Sequence, residues 1–234
     1  MAGKQGKRTW LKWLILGPLA VVLAVQLYYF VQVCWYIKFN PGMTSMMSLQ
    51  LAALQEKNPK ARIYQAWVPY NAISNNLKRA VIASEDANFA DHDGVDWDAI
   101  QKAYEKNMKK HKVVAGGSTI TQQLAKNLFL SGSRNYLRKG QELVITYMLE
   151  AVMSKQRIFE IYLNVVEFGS GIFGAEAAAR HYYGTSAAAL NAGQAAKLAV
   201  MLPRPRFYDK HRESAYLAMR SAIIQQRMNA AELP

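Results

Sequence analysis

Cysteine is almost absent. Cys34 stands alone in 234 residues, which excludes an internal disulfide framework and a cysteine-based metal site. Histidine is scarce as well. Four residues without His-x-x-x-His spacing argue against zinc. Acidic side chains are the third shortage: 16 Asp and Glu face 29 Lys and Arg, for a net charge of +13. An acidic partner is therefore expected, whether nucleic acid, anionic lipid or a phosphorylated substrate, and charge alone does not choose among them. Strong alternating runs and internal repeats are also missing, so the expected fold class is mainly α. A Gly-Gly pair at 116–117 is not followed by Gly-Lys-Ser/Thr, so it is not a nucleotide-binding P-loop.

What is present begins at the N-terminus. Residues 13–37 carry no charge and are mostly Leu, Val, Ala and aromatic. As a helix this stretch would be roughly 37 Å long, enough to cross a hydrocarbon core of about 30 Å. Lys4, Lys7, Arg8 and Lys12 precede it and Lys38 follows. The positive-inside rule then puts the N-terminus in the cytoplasm and the remainder outside. The run is too long for a cleaved signal peptide, and no small-x-small site follows it, so an uncleaved anchor is expected. The expected organisation is a basic tail (1–12), a transmembrane anchor (13–37), a connector (38–70) and a catalytic domain (71–234).

Beyond the connector, Leu77, Val81 and Ile82 lie on a helix running into Glu85-Asp86. Ile120, Leu124 and Leu128 form an apolar face, with Thr119, Gln123 and Lys126 on a polar one. Residues 134–154 read as a long helix with Leu137, Val144, Met148 and Ala151 facing a core. On it, Arg134, Arg138 and Glu142 share a stripe at spacing four. Lys102, Lys106, Lys109, Lys110 and Lys112 read as a solvated, mobile segment. Met43, Met46, Met47, Leu49 and Leu51 fit either a membrane-facing surface or core packing. Gly184 is a plausible helix stop, and Asn191 with Gln194 has the spacing of a capping box.

Three constellations carry chemistry. Glu85-Asp86 sits where a helix gives way to a loop; the helix dipole is negative there, which raises a carboxylate's proton affinity and suits a general base. Gly-Gly-Ser-Thr (116–119) opens a helix with free N–H groups and hydroxyls, an anion-binding arrangement. Arg134, Arg138 and Glu142 could be surface ion pairs worth a few tenths of a kcal/mol.

Taken together these motifs are more specific. Glu-Asp-x-x-Phe-x-x-His-x-Gly (85–94) and Gly-x-Ser-Thr-Ile-x-Gln-Gln-x-x-Lys-Asn (116–127) resemble the first two signatures of the peptidoglycan glycosyltransferases. That family comprises monofunctional membrane-anchored enzymes and the N-terminal domain of class A penicillin-binding proteins. Arg-Lys-x-x-Glu (138–142), ending in Leu149-Glu150, resembles the third signature. Lys155-x-x-Ile158-x-x-x-Tyr162-Leu163-Asn164 with Phe168-Gly169-x-Gly171-x-x-Gly174 resembles the fourth, and Leu198-Ala199 through Pro205 the fifth. Phe173 stands where the family often has Tyr. Neither Ser-x-x-Lys nor Lys-Thr-Gly of a transpeptidase occurs, so the resemblance is to the monofunctional members of Gram-negative type.

The resemblance implies a mainly α, two-lobed, lysozyme-like glycosyltransferase domain behind an N-terminal transmembrane helix. It implies polymerisation of lipid II in cell-wall synthesis, by inverting transfer of a growing chain on undecaprenyl pyrophosphate to the 4-hydroxyl of lipid II GlcNAc. The catalytic pair would be Glu85, as base, and Glu142, orienting cations or a divalent ion. Lys126, Arg134 and Arg138 would neutralise the pyrophosphate. Ser118, Thr119, Gln123 and Asn127 would contact sugar or phosphate. Asp86, Phe89 and His92 belong to the same substrate-binding set, bracing the loop that carries Glu85. Mg²⁺ or Mn²⁺ is compatible with a pyrophosphate, but no cofactor is expected to be required and no metal cage is visible. The membrane is an expected partner, division or elongation proteins are compatible with it, and nucleic acid is not expected. The location implied is the inner membrane with a periplasmic catalytic domain. The competing reading is a lysozyme-like hydrolase or lytic transglycosylase that cleaves glycan. Such an enzyme has no need of the Lys126, Arg134 and Arg138 cluster. A basic tethered binding protein would not need Glu85 and Glu142 together.

Overall fold

The computed structural model describes residues 3–112, 116–130, 132–133 and 135–234, with side chains from residue 13 onward. Arg134 lies outside the described residues. The chain divides into two compact units, Met1–Phe39 and Asn40–Pro234. The first is one helix, α1 (Gly3–Tyr36), whose Trp13–Tyr36 stretch is long and apolar enough to cross a membrane. Pro18 sits inside this helix without ending it.

The second unit is mainly helical. In chain order it holds α2 (Ser45–Gln55), β1 (Tyr64–Gln65), α3 (Asn75–Glu85), α4 (Trp97–Lys110), α5 (Ile120–Phe129), α6 (Tyr136–Val152) and α7 (Lys155–Val165). Then come β2 (Glu167–Gly169), β3 (Ile172–Phe173), α8 (Ala175–Tyr183), α9 (Ala192–Met201), α10 (Pro205–Lys210) and α11 (Ala215–Arg227). Side-chain oxygens start most of these helices, as Ser, Thr, Asn and Asp do at N-caps. Ser74 caps α3, Asp96 caps α4, Asn135 caps α6 and Ser154 caps α7. Thr119–Gln122 and Asn191–Gln194 form reciprocal capping boxes for α5 and α9. Gly184 ends α8 at φ +63°, as a left-handed stop should.

Packing follows two groups of helices. α3 lies against α9 and α11, while α5 lies against α6 and α7 with α2 alongside. The interior between is aromatic: Phe89, Phe159, Tyr162, Phe168 and Phe173 are fully buried. Phe89 and Phe159 meet with ring centroids 5.4 Å apart. The three strands form one small sheet in the order β1-β3-β2, parallel then antiparallel. The turn between β3 and α8 requires glycine: Gly174 has φ +82°, and a Cβ there would sit 2.6 Å from the Asn164 carbonyl oxygen.

Several sequence expectations change. The face of α6 is rotated: Leu137 and Val144 are exposed, as is Ala151, and Met148 is only half-buried. The inward face is Glu142, Ile145, Thr146 and Leu149. Two polar residues hold inner positions because both are satisfied there. Thr146 Oγ1 donates to the Glu142 carbonyl at 2.8 Å, and the Glu142 carboxylate meets two cations. Apolar periodicity alone therefore picked the wrong side. Lys102, Lys106, Lys109 and Lys110 are exposed, as a solvated segment requires, and lie on helix α4. The sheet is too short, at two or three residues per strand, to leave an alternating signal. The methionine-rich stretch divides, with Met47 in the core and Met43 and Leu49 exposed.

Candidate active site

Glu85 is the last residue of α3, and Asp86 is its cap, with φ −162° and ψ 76°. The turn that follows is tied down at each residue type the first signature specifies. Asp86 is buried and uses both oxygens. His92 Nε2 lies 2.9 Å from its Oδ1, and the Ile120 N–H donates to Oδ2 at 2.9 Å. The Gly94 N–H donates to His92 Nδ1 at 3.1 Å, so the ring carries its proton on Nε2 and donates it to Asp86. Asp86 thereby joins the end of α3 to the positive start of α5. Phe89 packs inside, beneath Lys155, whose Nζ stands 4.7 Å from the ring centre. Lys155 also donates to the His92 carbonyl and, at 2.8 Å, to Glu150, which accepts the Thr121 hydroxyl at 2.6 Å. Gly94 has φ +86°, and a Cβ there would meet Thr146 Cγ2 at 2.7 Å. The loop thus lies directly on α6.

The second signature faces this loop from α5. Thr119 is buried and donates to the Gly94 carbonyl at 2.6 Å while capping its own helix. Gln123 Nε2 donates to Glu85 Oε2 at 2.9 Å, and the Tyr162 hydroxyl donates to Gln123 Oε1 at 3.1 Å. Asn127 is buried on the same helix. Glu85 is enclosed by protein but keeps an opening to a cleft. Burial pushes its carboxyl up, and the neighbouring Asp86 adds to this; the Gln123 bond, the Lys126 charge and a Ser84 bond pull it back. Burial is the leading cause.

Two adjoining cavities share Ser118 as a wall. One, of about 250 Å³, is lined by Ser84, Glu85, Asp86, Asn88, Asp96, Lys102 and the 116–119 turn. The other, of about 270 Å³, is lined by Ser118, Gln123, Lys126, Arg138, Lys139 and Glu142. In the second, Arg138 Nη1 donates to Glu142 Oε2 at 2.6 Å and Lys139 Nζ donates to Oε1. Lys126 is pushed down by burial, drawn up by Glu142 and Glu85, and lowered by Arg138 and Lys139. Arg138 Nε is buried without a partner among the described residues. A larger cavity of about 470 Å³, between β1 and α8, is lined by none of these residues.

The structure brings together Glu85, Asp86, Phe89, His92, Ser118, Thr119, Gln123, Lys126, Arg138 and Glu142, while Asn127, buried on α5, lines neither cavity. Within this set, Asp86, Phe89, His92 and Thr119 point into the protein and hold other groups. The expected site omitted Lys139 and Tyr162. Lys139 had its signal in the Arg-Lys pair and Tyr162 in the fourth signature, but neither was given a role. Among the described residues no group of three His, Cys, Asp or Glu side chains could hold a metal.

Comparison with known proteins covers nearly the whole chain. A family model described as Transglycosylase matches residues 52–229. The biosynthetic peptidoglycan transglycosylase of Janthinobacterium sp. (strain Marseille) is 70% identical over 227 residues, spanning 97% of this chain and 98% of that protein. The protein of the same name from Herminiimonas arsenicoxydans is 68% identical over the same shares. That from Bordetella pertussis is 58% identical over 94% of this chain and 93% of its own length.

Proposed function

Because the chain belongs to the transglycosylase family, we propose that it polymerises lipid II into glycan strands with Glu85 as general base. It is a peptidoglycan transglycosylase, a glycosyltransferase of cell-wall synthesis. The donor in this reading is a growing chain on undecaprenyl pyrophosphate, and the acceptor is the GlcNAc 4-hydroxyl of lipid II. The acceptor oxygen attacks the donor C1 as the C1–O bond to pyrophosphate breaks. The hydroxyl proton passes to Glu85, and the pyrophosphate leaves with the bonding pair.

One observation carries the proposal: a carboxylate held by a neutral amide opens into one cavity, beside a second cavity in which three cations face one glutamate. The first arrangement leaves Glu85 able to accept a proton. The second favours charge that grows on a leaving pyrophosphate. The orphaned Arg138 Nε adds a donor without a protein partner among the described residues. Both Glu142 oxygens are committed to Arg138 and Lys139, so its role is to hold those cations in place rather than to ligate Mg²⁺ or Mn²⁺. The phosphate-facing role expected of Arg134 falls outside the described residues. In this reading α1 anchors the protein in the inner membrane, with the N-terminus cytoplasmic and the catalytic unit periplasmic. Tethering then keeps the site among substrates whose polyprenyl tails lie in the same bilayer, a gain in effective concentration.

The test is incubation of the purified, detergent-solubilised protein with labelled lipid II, with products resolved by size. Long strands that vanish in Glu85→Gln are expected. Intact lipid II, together with shortening of preformed glycan, would replace this reading with a cleaving enzyme.

A further inference from the structure

We infer that Tyr162 is a positioning residue for Glu85, acting through the side-chain amide of Gln123. The inference rests on Glu85 being the base. Three groups on three helices form one line of hydrogen bonds: Tyr162 on α7, Gln123 on α5 and Glu85 at the end of α3. Tyr162 is fully buried, so its hydroxyl does not reach substrate. A primary amide can be turned end for end, and only its partners decide which end faces where. The Tyr162 hydroxyl donates to Gln123 Oε1 at 3.1 Å, which leaves Nε2 to donate to Glu85 Oε2 at 2.9 Å. In the reverse orientation the amide oxygen would face the carboxylate. That arrangement suits only a protonated Glu85, which is useless as a base.

The groups that face Glu85 all bear on its charge. Asp86 lies beside it, Lys126 approaches from α5, Tyr162 from α7, and Asp96 and Lys102 line the same cavity from the α4 side. Burial and Asp86 favour the protonated form, so the amide donor is one of few local groups that hold the base ionised. Tyr162 is itself well suited to remain a donor. Burial first, then Glu85 and Asp86, hold its hydroxyl proton far more tightly than an ordinary tyrosine does.

The experiment is the pH profile of kcat on labelled lipid II, using the full chain in detergent. Tyr162→Phe keeps the buried ring and removes the hydroxyl. Its acid limb should move to higher pH by about half to one unit, with KM unchanged and the melting temperature close to the parent. Gln123→Met should move the acid limb at least as far. In that background Tyr162→Phe should add nothing, because its path to Glu85 is gone. An unmoved acid limb in either single variant overturns the inference, as does an equal shift from Tyr162→Phe in both backgrounds. If Tyr162→Phe fails to fold, an unmoved acid limb in Gln123→Met still overturns the inference. Failure of the base assignment is visible separately, as turnover retained in Glu85→Gln.

Discussion

Glu85 and Glu142 are the same side chain in two opposite settings. Glu85 ends a helix, is crowded by protein and has a neutral amide as its nearest donor. Glu142 lies inside a helix with one oxygen on Arg138 and the other on Lys139. A proton arriving at Glu85 relieves the cost of a buried charge. At Glu142 it would break two charge-assisted bonds. The first has only a neutral amide and keeps an opening to a cleft, while the second holds two cations in register. The two carboxylates thus differ in their partners, which their spacing in the chain does not reveal.

That contrast breaks most sharply at Glu85. Glu85→Gln should lower kcat by about 10²–10⁴-fold, the usual worth of a general base. Its thermal melting should stay level or rise at neutral pH, because an uncharged amide replaces a carboxylate that resents burial. The sign follows from the raised pKa. The folded state binds that proton more tightly than the unfolded chain, so Glu85's cost to stability grows as pH rises through its titration range. Activity runs the other way, with an acid limb above the ordinary glutamate range.

Glu142→Gln should do the reverse to stability. It leaves Arg138 and Lys139 beside Lys126 without a counter-charge, at a cost of about 2–3 kcal/mol in denaturant unfolding. Both cations retain some solvent access, which keeps the figure below that of a fully buried pair. Loss of Glu142 also removes the group that most raises Lys126, so the alkaline limb of the rate profile should move to lower pH.

Thr119→Val is a smaller change. It deletes the cap of α5 and the tie to Gly94, and should cost about 1–2 kcal/mol of stability. Leu137→Ala should be the smallest. At 89% exposure it should change stability by less than about 0.5 kcal/mol, whereas Ile145→Ala on the inward face should lose about 2–5 kcal/mol. Equal losses at the two positions would restore the α6 face expected from sequence.

The legible parts were those with a local cause. The α3 and α5 helices, the Asn191–Gln194 box and the Gly184 stop each depend on residues within four positions of one another. The three short strands and the inward face of α6 were not legible, because they depend on contacts across the chain. Thr146 packs against Gly94, 52 positions away in sequence, and no periodicity within α6 encodes that approach. Tyr162 stood in the fourth signature, but its role was hidden for a related reason. Its ring follows the apolar pattern of α7, while its hydroxyl serves a residue on another helix.

By itself the sequence determined the apolar N-terminal helix, the mainly helical unit behind it, and which carboxylates, cations and amides would be available. Those follow from composition, period and cap chemistry, which act over a few residues. The tertiary structure alone decided which carboxylate stays free to take a proton. Gln123 meets Glu85 across 38 positions, and Asp86 meets the start of α5 across 34. Whether a buried carboxyl is neutralised, ion-paired or held ionised is set by the groups that folding brings to it.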